Sequence, residues 1–283
     1  MVMRAVSLPG CGCRGAFQIA VLQRLWARGE RFDIAAGASS GSISGAVWVS
    51  GLADEAPAFW RALAKTPILS HKYLRREKSP FGMSGILREA LARFVPEKGI
   101  VDSEVELLVS TTRAKRLFLG ALSGFSATHD ARLATASRIR TMAIAKDALV
   151  VHSSRDRVDM HDVIVASCTI PGVYARLPVI DGEIHIDGGA TDNTLIHALL
   201  DRGATDITVI SPYAGGAVSP TLFERERPPT VPPHVRLRLI WPERTIRLGR
   251  FDFDRERLEE ALAMPHVERV LAPVAPTAKE TGR

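Results

Sequence analysis

Apolar and polar positions alternate along the first fifty residues in a way that predicts strand, turn and helix twice over. The run Arg4–Leu8 is typical of a short buried strand, and PGCGCRG follows it as a loop. From Ala16 to Arg28 apolar residues recur close to every 3.6 positions, which predicts a helix with Gly29 at its C-cap. A second apolar run, Phe32–Ala36, ends in GASSG and leads into the small-residue segment SISGAVWVSG, which we expect to be helical.

The same alternation continues through the rest of the chain. Further helices are predicted over Asp54–Lys65 and Ser84–Phe94, with Asp54 and Ser84 as N-caps, and over Asp159–Ser167. Further strands are predicted over Glu183–Ile186, Ile207–Ile210 and Val235–Trp241. Strands that alternate with helices predict an α/β fold with a mostly parallel central sheet covered on both faces. Ligands of such sheets bind beyond the carboxyl ends of the strands.

Composition narrows the class of protein without naming a function. The 283 residues, 46% hydrophobic and 24% charged, exclude a disordered or fibrous chain, and no repeat or low-complexity linker divides them. A formal net charge of +6 favours contact with anionic partners. No zinc-finger spacing, basic heptad or aromatic RNA-binding signature accompanies that charge, so no nucleic-acid partner is expected.

The sequence also bears on compartment and on cysteine chemistry. MVMRAVSLPG lacks the apolar core of a signal peptide, and no run reaches the roughly 20 apolar residues of a membrane span. We therefore expect a cytoplasmic protein that touches membranes only from the surface. Cys11, Cys13 and Cys168 are an odd number of cysteines, predicted to be reduced thiols, and their spacing does not predict a metal site.

The first candidate motif is Gly10-Cys-Gly12-Cys-Arg-Gly15, a G-x-G-x-x-G between a strand and a helix. That context is the one required of a dinucleotide-binding turn. Such a domain needs a carboxylate at the end of its second strand, whereas Asp33 stands at the beginning of the second apolar run. A nucleotide-binding oxidoreductase and a tight turn without ligand both remain open as interpretations of this motif alone.

The second motif, GASSG at residues 37–41, is a G-x-S-x-G placed between a predicted strand and a predicted helix. A serine on such a sharp turn can be a nucleophile, and Ser39 rather than Ser40 has glycines two residues away on both sides. The nearby Gly-rich loop, with Arg14, could receive an oxyanion. Asp187, in HIDGG, is the candidate base, although an aspartate before glycine also simply opens turns.

Together these blocks resemble the patatin-like phospholipases and esterases. PGCGCRG at 9–15, GASSG at 37–41 and DGGATDN at 187–193 occur in that family's order and rough spacing. A fourth block, ASCTIPG at 166–172, is similar to the family's Ser-x-Ala-x-Pro segment, with Thr169 in place of alanine. The resemblance extends from about residue 4 to 211, and Phe251–Leu262 resembles the family's closing helix.

The resemblance implies a three-layer α/β/α sandwich, which we assign to residues 1–270. The final stretch, 271–283, has little to bury and is predicted to be a flexible tail. The resemblance also implies that Ser39 is the nucleophile and Asp187 the base of a dyad without histidine, cleaving acyl esters of phospholipids or other lipids through an acyl-enzyme. No metal and no organic cofactor is required. The residues implied for oxyanion and substrate binding are Gly10, Cys11, Gly12, Arg14 and Gly15. Those implied to support the motifs are Gly37, Gly41, Gly188, Gly189 and Asn193.

One departure from the family pattern keeps a second function open. The family usually has glycine where this chain has Cys11, and a position that required positive φ would be strained by cysteine. A weakened oxyanion hole is then expected, or a catalytically silent lipid-binding or regulatory module. A Ser-Asp-His triad is a further alternative, because His197, His234 and His266 all follow Asp187.

The most basic stretch, HKYLRREK, lies among apolar neighbours in residues 68–78. Two interpretations are open: a solvated loop between helices, or a surface that makes peripheral contact with an anionic membrane. The sequence carries no indication of oligomeric state.

Overall fold

The computed structural model describes residues 2–66, 70–73, 82–114, 147–171 and 177–271, and within them nine strands form one mixed sheet. The strands are β1 (Arg4–Leu8), β2 (Ile34–Gly37), β3 (Glu106–Ala114), β4 (Leu149–Ser153), β5 (Val179–Ile180), β6 (Glu183–Asp187), β7 (Asp206–Ile210), β8 (Arg236–Pro242) and β9 (His266–Leu271). The α-helices are α1 (Gly15–Ala27), α2 (Ser40–Val49), α3 (Ala56–Lys65), α4 (Met83–Phe94), α5 (Glu97–Val101), α6 (Met160–Ser167), α7 (Ile196–Asp201) and α8 (Arg255–Ala263). Short 3-10 turns span Gly12–Arg14, His71–Tyr73 and Gly188–Ala190.

The strand order is β5-β6-β3-β2-β1-β7-β8-β9, with β4 also paired to β3. The five central strands, β3, β2, β1, β7 and β8, are mutually parallel. Antiparallel pairing is confined to β4, β6 and β5 at one side and β9 at the other. The prediction of a mixed α/β fold with a mostly parallel sheet is therefore confirmed.

Apolar residues cover both faces of the sheet, because successive side chains of a strand point to opposite faces. Val6 and Leu8 of β1 join the larger core cluster, which also contains Phe17 of α1 and Trp48 of α2. Ala5, adjacent to Val6 in sequence, joins a second cluster with Leu199 of α7. Helices pack on both sides of the sheet, with the thicker layer on the side of α1 and α2.

Several predicted boundaries need correction. Helix α3 begins at Ala56 after Glu55, and α4 begins at Met83 after Gly82, so neither Asp54 nor Ser84 is an N-cap. Residues 251–254 belong to a loop, and α8 begins only after Asp254, which caps it by accepting from the amide of Arg257 at 2.9 Å. The prediction for α6 agrees, with Asp159 as its cap.

Two predicted segments fall largely outside the described residues. Of the basic stretch 68–78, the structure describes only 70–73, so its predicted membrane contact stays a prediction. Of the predicted tail 271–283, only Leu271 is described, and it ends β9. Within the described residues no helix has both the length and the apolar character needed to cross a bilayer.

Candidate active site

The serine of the G-x-S-x-G motif and the aspartate of DGG lie side by side. Ser39 joins β2 to α2, and Asp187 is the last residue of β6. Both strands pair with β3 almost at the same level, since Gly37 is opposite Val109 and Asp187 is opposite Thr111. The Ser39 hydroxyl donates a 2.8 Å hydrogen bond to Oδ2 of Asp187. This is the distance at which a carboxylate can take a proton from a hydroxyl.

The backbone at Ser39 has a strained conformation that residues other than glycine rarely adopt. Its φ is 50° and its ψ is −128°, a conformation that costs on the order of 1–3 kcal/mol. Two neighbours hold it. The Ser39 amide donates to Oγ of Ser167 at 2.8 Å, and its carbonyl accepts from the amide and hydroxyl of Ser42 at 2.9 and 2.6 Å. The surrounding structure thus fixes the turn that presents the hydroxyl.

The two glycines of this motif are required by close backbone approach. A Cβ on Gly41 would overlap the carbonyl of Leu8 at the end of β1, and one on Gly37 would overlap the carbonyl of Gly41. Helix α2 therefore begins directly against two strands. Because the closest atoms at both positions belong to the backbone, no flexible side chain can move to make room.

Gly41→Ala is expected to prevent folding or to lower the free energy of unfolding by at least about 3 kcal/mol, because the backbone of β1 or α2 must move. Chemical denaturation would measure this loss. The matched control is Gly51→Ala, where no atom lies within 4 Å of the new Cβ and φ is +71°. That control should lose only about 1–2 kcal/mol. Equal losses in both variants would contradict the packing argument.

Asp187 is held by hydrogen bonds to its side chain and to its backbone. Oδ1 accepts from the amide of Gly189 at 2.8 Å, and the carbonyl of Asp187 accepts from the hydroxyl of Thr112 at 2.8 Å. Burial raises the pKa of Asp187 to about 7, against the lowering effects of the bonds from Ser39 and Gly189 and of the charge on Arg250. The carboxyl is thus poised to gain or lose a proton near neutral pH.

The glycines after Asp187 fit tightly. A Cβ on Gly188 would overlap Ser110 of β3, and one on Gly189 would lie 2.8 Å from Oδ1 of Asn193. The turn can therefore pass close to the sheet only without side chains, which explains the DGG sequence.

A single short segment supports both members of the pair. Ser167, at the end of α6, accepts from the amide of Ser39, and the carbonyl of Thr169 accepts from the amide of Asp187 at 2.8 Å. Only Cys168 separates these two anchors. The described part of the segment ASCTIPG, which the sequence singles out by resemblance alone, therefore has a physical role, because Ser167 and Thr169 fix the position of the Ser39 turn relative to the end of β6.

The Gly-rich loop lies beside the Ser39 turn and is fixed by a side chain of the DGGATDN block. Asn193 accepts from the amide of Gly10 at 2.9 Å and donates to the Gly10 carbonyl at 3.2 Å. The amide of Cys11 donates to Oγ of Ser40 at 3.0 Å. No described residue accepts from the amide of Gly12. Of the two amides implied for the oxyanion, Cys11 already has an acceptor in this geometry and Gly12 has none among the described residues.

The cysteine in this loop is not strained. Cys11 has φ −152°, whereas the positive φ of the loop, +60°, falls on Gly12. The conformational cost considered for cysteine at position 11 is therefore absent. A Cβ on Gly12 would overlap the carbonyl of Arg250, so Gly12 is the residue of this loop where a positive φ and a close backbone approach both require glycine.

A C-terminal segment covers the other side of the Gly-rich loop. The amide of Cys13 donates to the carbonyl of Arg250 at 2.9 Å, and Nε of Arg14 donates to the carbonyl of Leu248 at 2.9 Å. The Arg14 guanidinium lies 5.4 Å from the ring centroid of Tyr213. Arg14, predicted to face an oxyanion, is not among the residues that line the cavity; it ties the loop to residue 248.

Ser39 and Asp187 line an apolar cavity of about 180 Å³. Its apolar walls include Ile43, Trp60, Leu63, Leu87, Ile170 and Phe253. Gly15 meets this wall, since a Cβ there would lie 2.7 Å from the ring of Trp60. A cavity of this order admits a ring the size of benzene, and so also a short acyl chain.

The three cysteines also line this cavity, and their thiols are unreactive. All are free and buried. Burial raises the pKa of Cys11 to about 11 and that of Cys13 to about 12, and it raises the pKa of Cys168 further. They remain thiols at neutral pH, and the thiolate is the form that reacts or binds metal. Among the described residues, no cluster of His, Cys, Asp and Glu could hold a metal ion.

The histidines proposed for a triad lie elsewhere. His197 and His234 are exposed, and His266 is on β9, at the opposite end of the sheet from β6. Within the described ranges, no histidine hydrogen-bonds to Ser39 or Asp187. The geometry therefore gives no support to a Ser-Asp-His arrangement.

Two buried histidines lie near Asp187, but their hydrogen bonds connect strands of the sheet. His152 and His185 both hydrogen-bond to Oγ1 of Thr111, at 2.9 and 2.8 Å. Burial, with the neighbouring His152 and Arg113, lowers the pKa of His185 to about 4, so this ring is neutral at physiological pH. The hydrogen bonds link β3, β4 and β6 and help to place the end of β6.

Two residues of the site carry no clear signal in the sequence. Ser167 belongs to a recognisable motif, but nothing local indicates its bond to the Ser39 amide. Arg250 lines the cavity although it is 63 residues beyond Asp187 and lies in no recognisable motif. Its neighbours Arg247 and Phe251 could have marked an amphipathic loop, but not its approach to the cavity.

Comparison with known proteins agrees with this architecture. The family model described as patatin-like phospholipase matches residues 6–200, a span that contains both Ser39 and Asp187. The chain belongs to the patatin-like phospholipase family, whose members are lipid acyl hydrolases.

Among solved structures, the chain is similar to VipD from Legionella pneumophila, at 15% sequence identity and a TM-score of 0.38. That match covers 74% of this chain and 49% of VipD, so the chain spans about half the length of that neighbour. No curated protein matches the chain.

Proposed function

We propose that this chain is a serine acyl hydrolase that cleaves lipid acyl esters through a Ser39–Asp187 dyad and an acyl-enzyme. The observation that carries the proposal is the 2.8 Å hydrogen bond from Ser39 Oγ to Asp187 Oδ2 in the wall of an apolar cavity. Family membership supports the general reaction class. The dyad and the individual substrate are our inference.

In this mechanism, ionised Asp187 accepts the Ser39 proton as Oγ attacks the ester carbonyl carbon. The C–O bond to the leaving alcohol then breaks, and the proton on Asp187 passes to that oxygen. A water molecule next gives its proton to Asp187 and attacks the acyl-enzyme. The bond between the acyl carbon and Ser39 Oγ then breaks, the proton on Asp187 returns to Oγ, and the fatty acid leaves. The strained turn and the hydrogen bond from Gly189 keep both groups in position throughout these steps.

The negative oxygen formed at the carbonyl needs amide donors. We assign the amide of Gly12, which has no acceptor among the described residues, and the amide of Ser40, the first residue of α2. An amide directly after the nucleophile serves this purpose in other serine hydrolases, and a helix N-terminus favours negative charge. In this assignment Cys11 holds Ser40 in place through its amide instead of binding the oxyanion itself.

The alternatives gain less support. A dinucleotide would need open space against the Gly-rich loop, but the carbonyl of Arg250 fills the position next to Gly12. A silent lipid-binding module was suggested by Cys11, whose φ of −152° brings no strain. Cytoplasmic localisation and membrane contact through residues 68–78 stay predictions.

The test is labelling and hydrolysis by the wild-type protein. A fluorophosphonate should label one serine per chain, and peptide mapping should locate the label at Ser39, not Ser40. Hydrolysis of p-nitrophenyl butyrate should begin with a burst equal to the labelled fraction, because the acyl-enzyme accumulates when its hydrolysis is slower than its formation. Absence of both label and turnover would overturn the hydrolase assignment and favour the silent module.

A further inference from the structure

Arg250 is a charged residue in a cavity whose walls are otherwise mostly apolar. Its side chain is half-buried and lines the same cavity as Ser39 and Asp187. Its Nη2 donates to the hydroxyl of Tyr213 at 3.0 Å, which holds the guanidinium in one place. It lies close enough to the dyad for its charge to lower the pKa of Asp187.

This charge has no close partner. Among the described residues, no carboxylate lies within 4.0 Å of the Arg250 guanidinium. Glu226, which is exposed, acts on it only at longer range. Its neighbour Arg247, by contrast, pairs with Glu260 at 2.7 Å. A guanidinium that is partly withdrawn from water without a counter-ion is costly, unless a ligand supplies the negative charge.

The surroundings indicate what kind of ligand would do so. Phe251, directly after Arg250, is 60% exposed and also lines the cavity. A large exposed apolar side chain, a fixed cation and an apolar interior occur together at one opening. That combination matches an amphiphile whose acyl chain enters the cavity while an anionic group stays beside Arg250. The planar fork of arginine donors fits the oxygens of a phosphate.

We propose that Arg250 binds the phosphate group of the lipid substrate and so selects phosphate-bearing acyl esters over neutral ones. This inference rests on the proposed function for its consequence in turnover, but not for binding itself. Residue 250 lies outside the span matched by the family model, so the selectivity would be a property of this chain's own C-terminal segment.

Binding is tested without turnover, in the Ser39→Ala background, by isothermal titration calorimetry. The probes are octyl phosphate, octanol and inorganic phosphate. Adding Arg250→Gln should weaken octyl phosphate binding about 10- to 100-fold, which is the range of a charge-assisted hydrogen bond. The factor by which it weakens octanol binding should be at least tenfold smaller. The matched control is Arg247→Gln, which removes the same charge from an exposed side chain and should leave octyl phosphate binding within about threefold.

Each other result would overturn the proposal. Equal weakening of octyl phosphate and octanol would mean that the variant has disturbed the cavity. Unchanged octyl phosphate binding would mean that Arg250 does not contact the phosphate. Inorganic phosphate binding as tightly as octyl phosphate would assign the site to the free ion, not to a lipid.

The second test of the proposal measures turnover. For wild type and Arg250→Gln, the ratio of kcat/KM for octanoylglycerol phosphate to that for octanoylglycerol is compared. The substitution should lower this ratio at least tenfold, mainly through KM, because the phosphate is bound before and during the reaction. An unchanged ratio in an active enzyme contradicts the inference. If the wild type hydrolyses neither ester, the proposed function fails, while the calorimetric arm still decides the role of Arg250.

Discussion

Ser39→Ala is expected to lower kcat for ester hydrolysis by at least about 10⁴-fold and to abolish fluorophosphonate labelling. Among the described residues that line the cavity, Ser39 is the one whose hydroxyl donates to Asp187, and burial keeps Cys11, Cys13 and Cys168 as thiols. The fold should survive, because Ser39 is held by its amide and carbonyl, which alanine retains. Alanine at φ 50° is as strained as serine, so the melting temperature should change little.

Ser40→Ala is the matched control for this result. It removes a neighbouring hydroxyl that is 3.0 Å from the Cys11 amide and has no bond to Asp187. It should keep stoichiometric labelling while changing the rate far less than Ser39→Ala. If Ser40→Ala lost the label and Ser39→Ala kept it, the nucleophile would be Ser40 and not Ser39.

The central sheet was predictable because buried parallel strands are short apolar runs bounded by glycine turns. Arg4–Leu8 and the run ending at Gly37 show this pattern clearly. Strand β3 was not predicted, although three strands pair with it. Its sequence, ELLVSTTRA, carries polar residues that are buried at the site, including Ser110 and Thr111. The hydrogen bonds of Thr111 to two histidines and of Thr112 to the carbonyl of Asp187 could not be inferred from a local pattern.

In the candidate site, too, some residues could be predicted from local sequence patterns and others could not. Ser39 and Asp187 could be singled out as candidates from the sequence, because a nucleophile on a strand-turn-helix needs particular residues at fixed spacing. The presence of Arg250 in the cavity could not be predicted, because Arg250 reaches the cavity through a loop whose contacts are set by the tertiary fold. Likewise, only the structure reveals that Arg14 donates to Leu248. Long-range backbone acceptors leave no mark on the sequence of the donor.

These contacts also explain why the site depends on parts of the chain far apart in sequence. The Gly-rich loop is fixed on one side by Asn193 and on the other by the carbonyl of Arg250. The Ser39 turn is fixed by Ser167, and the backbone of Asp187 is fixed by Thr169. In the proposed mechanism, a change at any of these points would move the oxyanion donors relative to Ser39, and a displacement of about 1 Å can reduce a rate about a hundredfold.

Asp187→Asn is expected to separate the catalytic from the structural effect of the buried carboxyl. In the wild type, kcat/KM should rise tenfold per pH unit up to about pH 7 and then level off, because Asp187 accepts a proton only when ionised. Asparagine cannot accept that proton, so kcat should fall about 10²- to 10⁴-fold at every pH, and the inflection near pH 7 should vanish. An inflection that persisted in the residual activity would place the titrating base elsewhere.

Stability should change in the opposite direction. The folded protein holds the Asp187 proton with a pKa of about 7, compared with an ordinary value of 3.8, so it binds that proton more tightly than the unfolded chain does. The free energy of unfolding of the wild type therefore falls as the pH rises from about 4 to 7, and the loss is complete above that window. Asparagine carries no charge and can still accept from the Gly189 amide. Urea unfolding should thus find Asp187→Asn more stable than the wild type by on the order of 2–4 kcal/mol at pH 8, and nearly equal to it at pH 4. A variant less stable at pH 8 would mean that hydrogen bonds outweigh the cost of burying the charge. The ionised Asp187 would then stabilise the folded protein, and burial of its charge would not lower the free energy of unfolding.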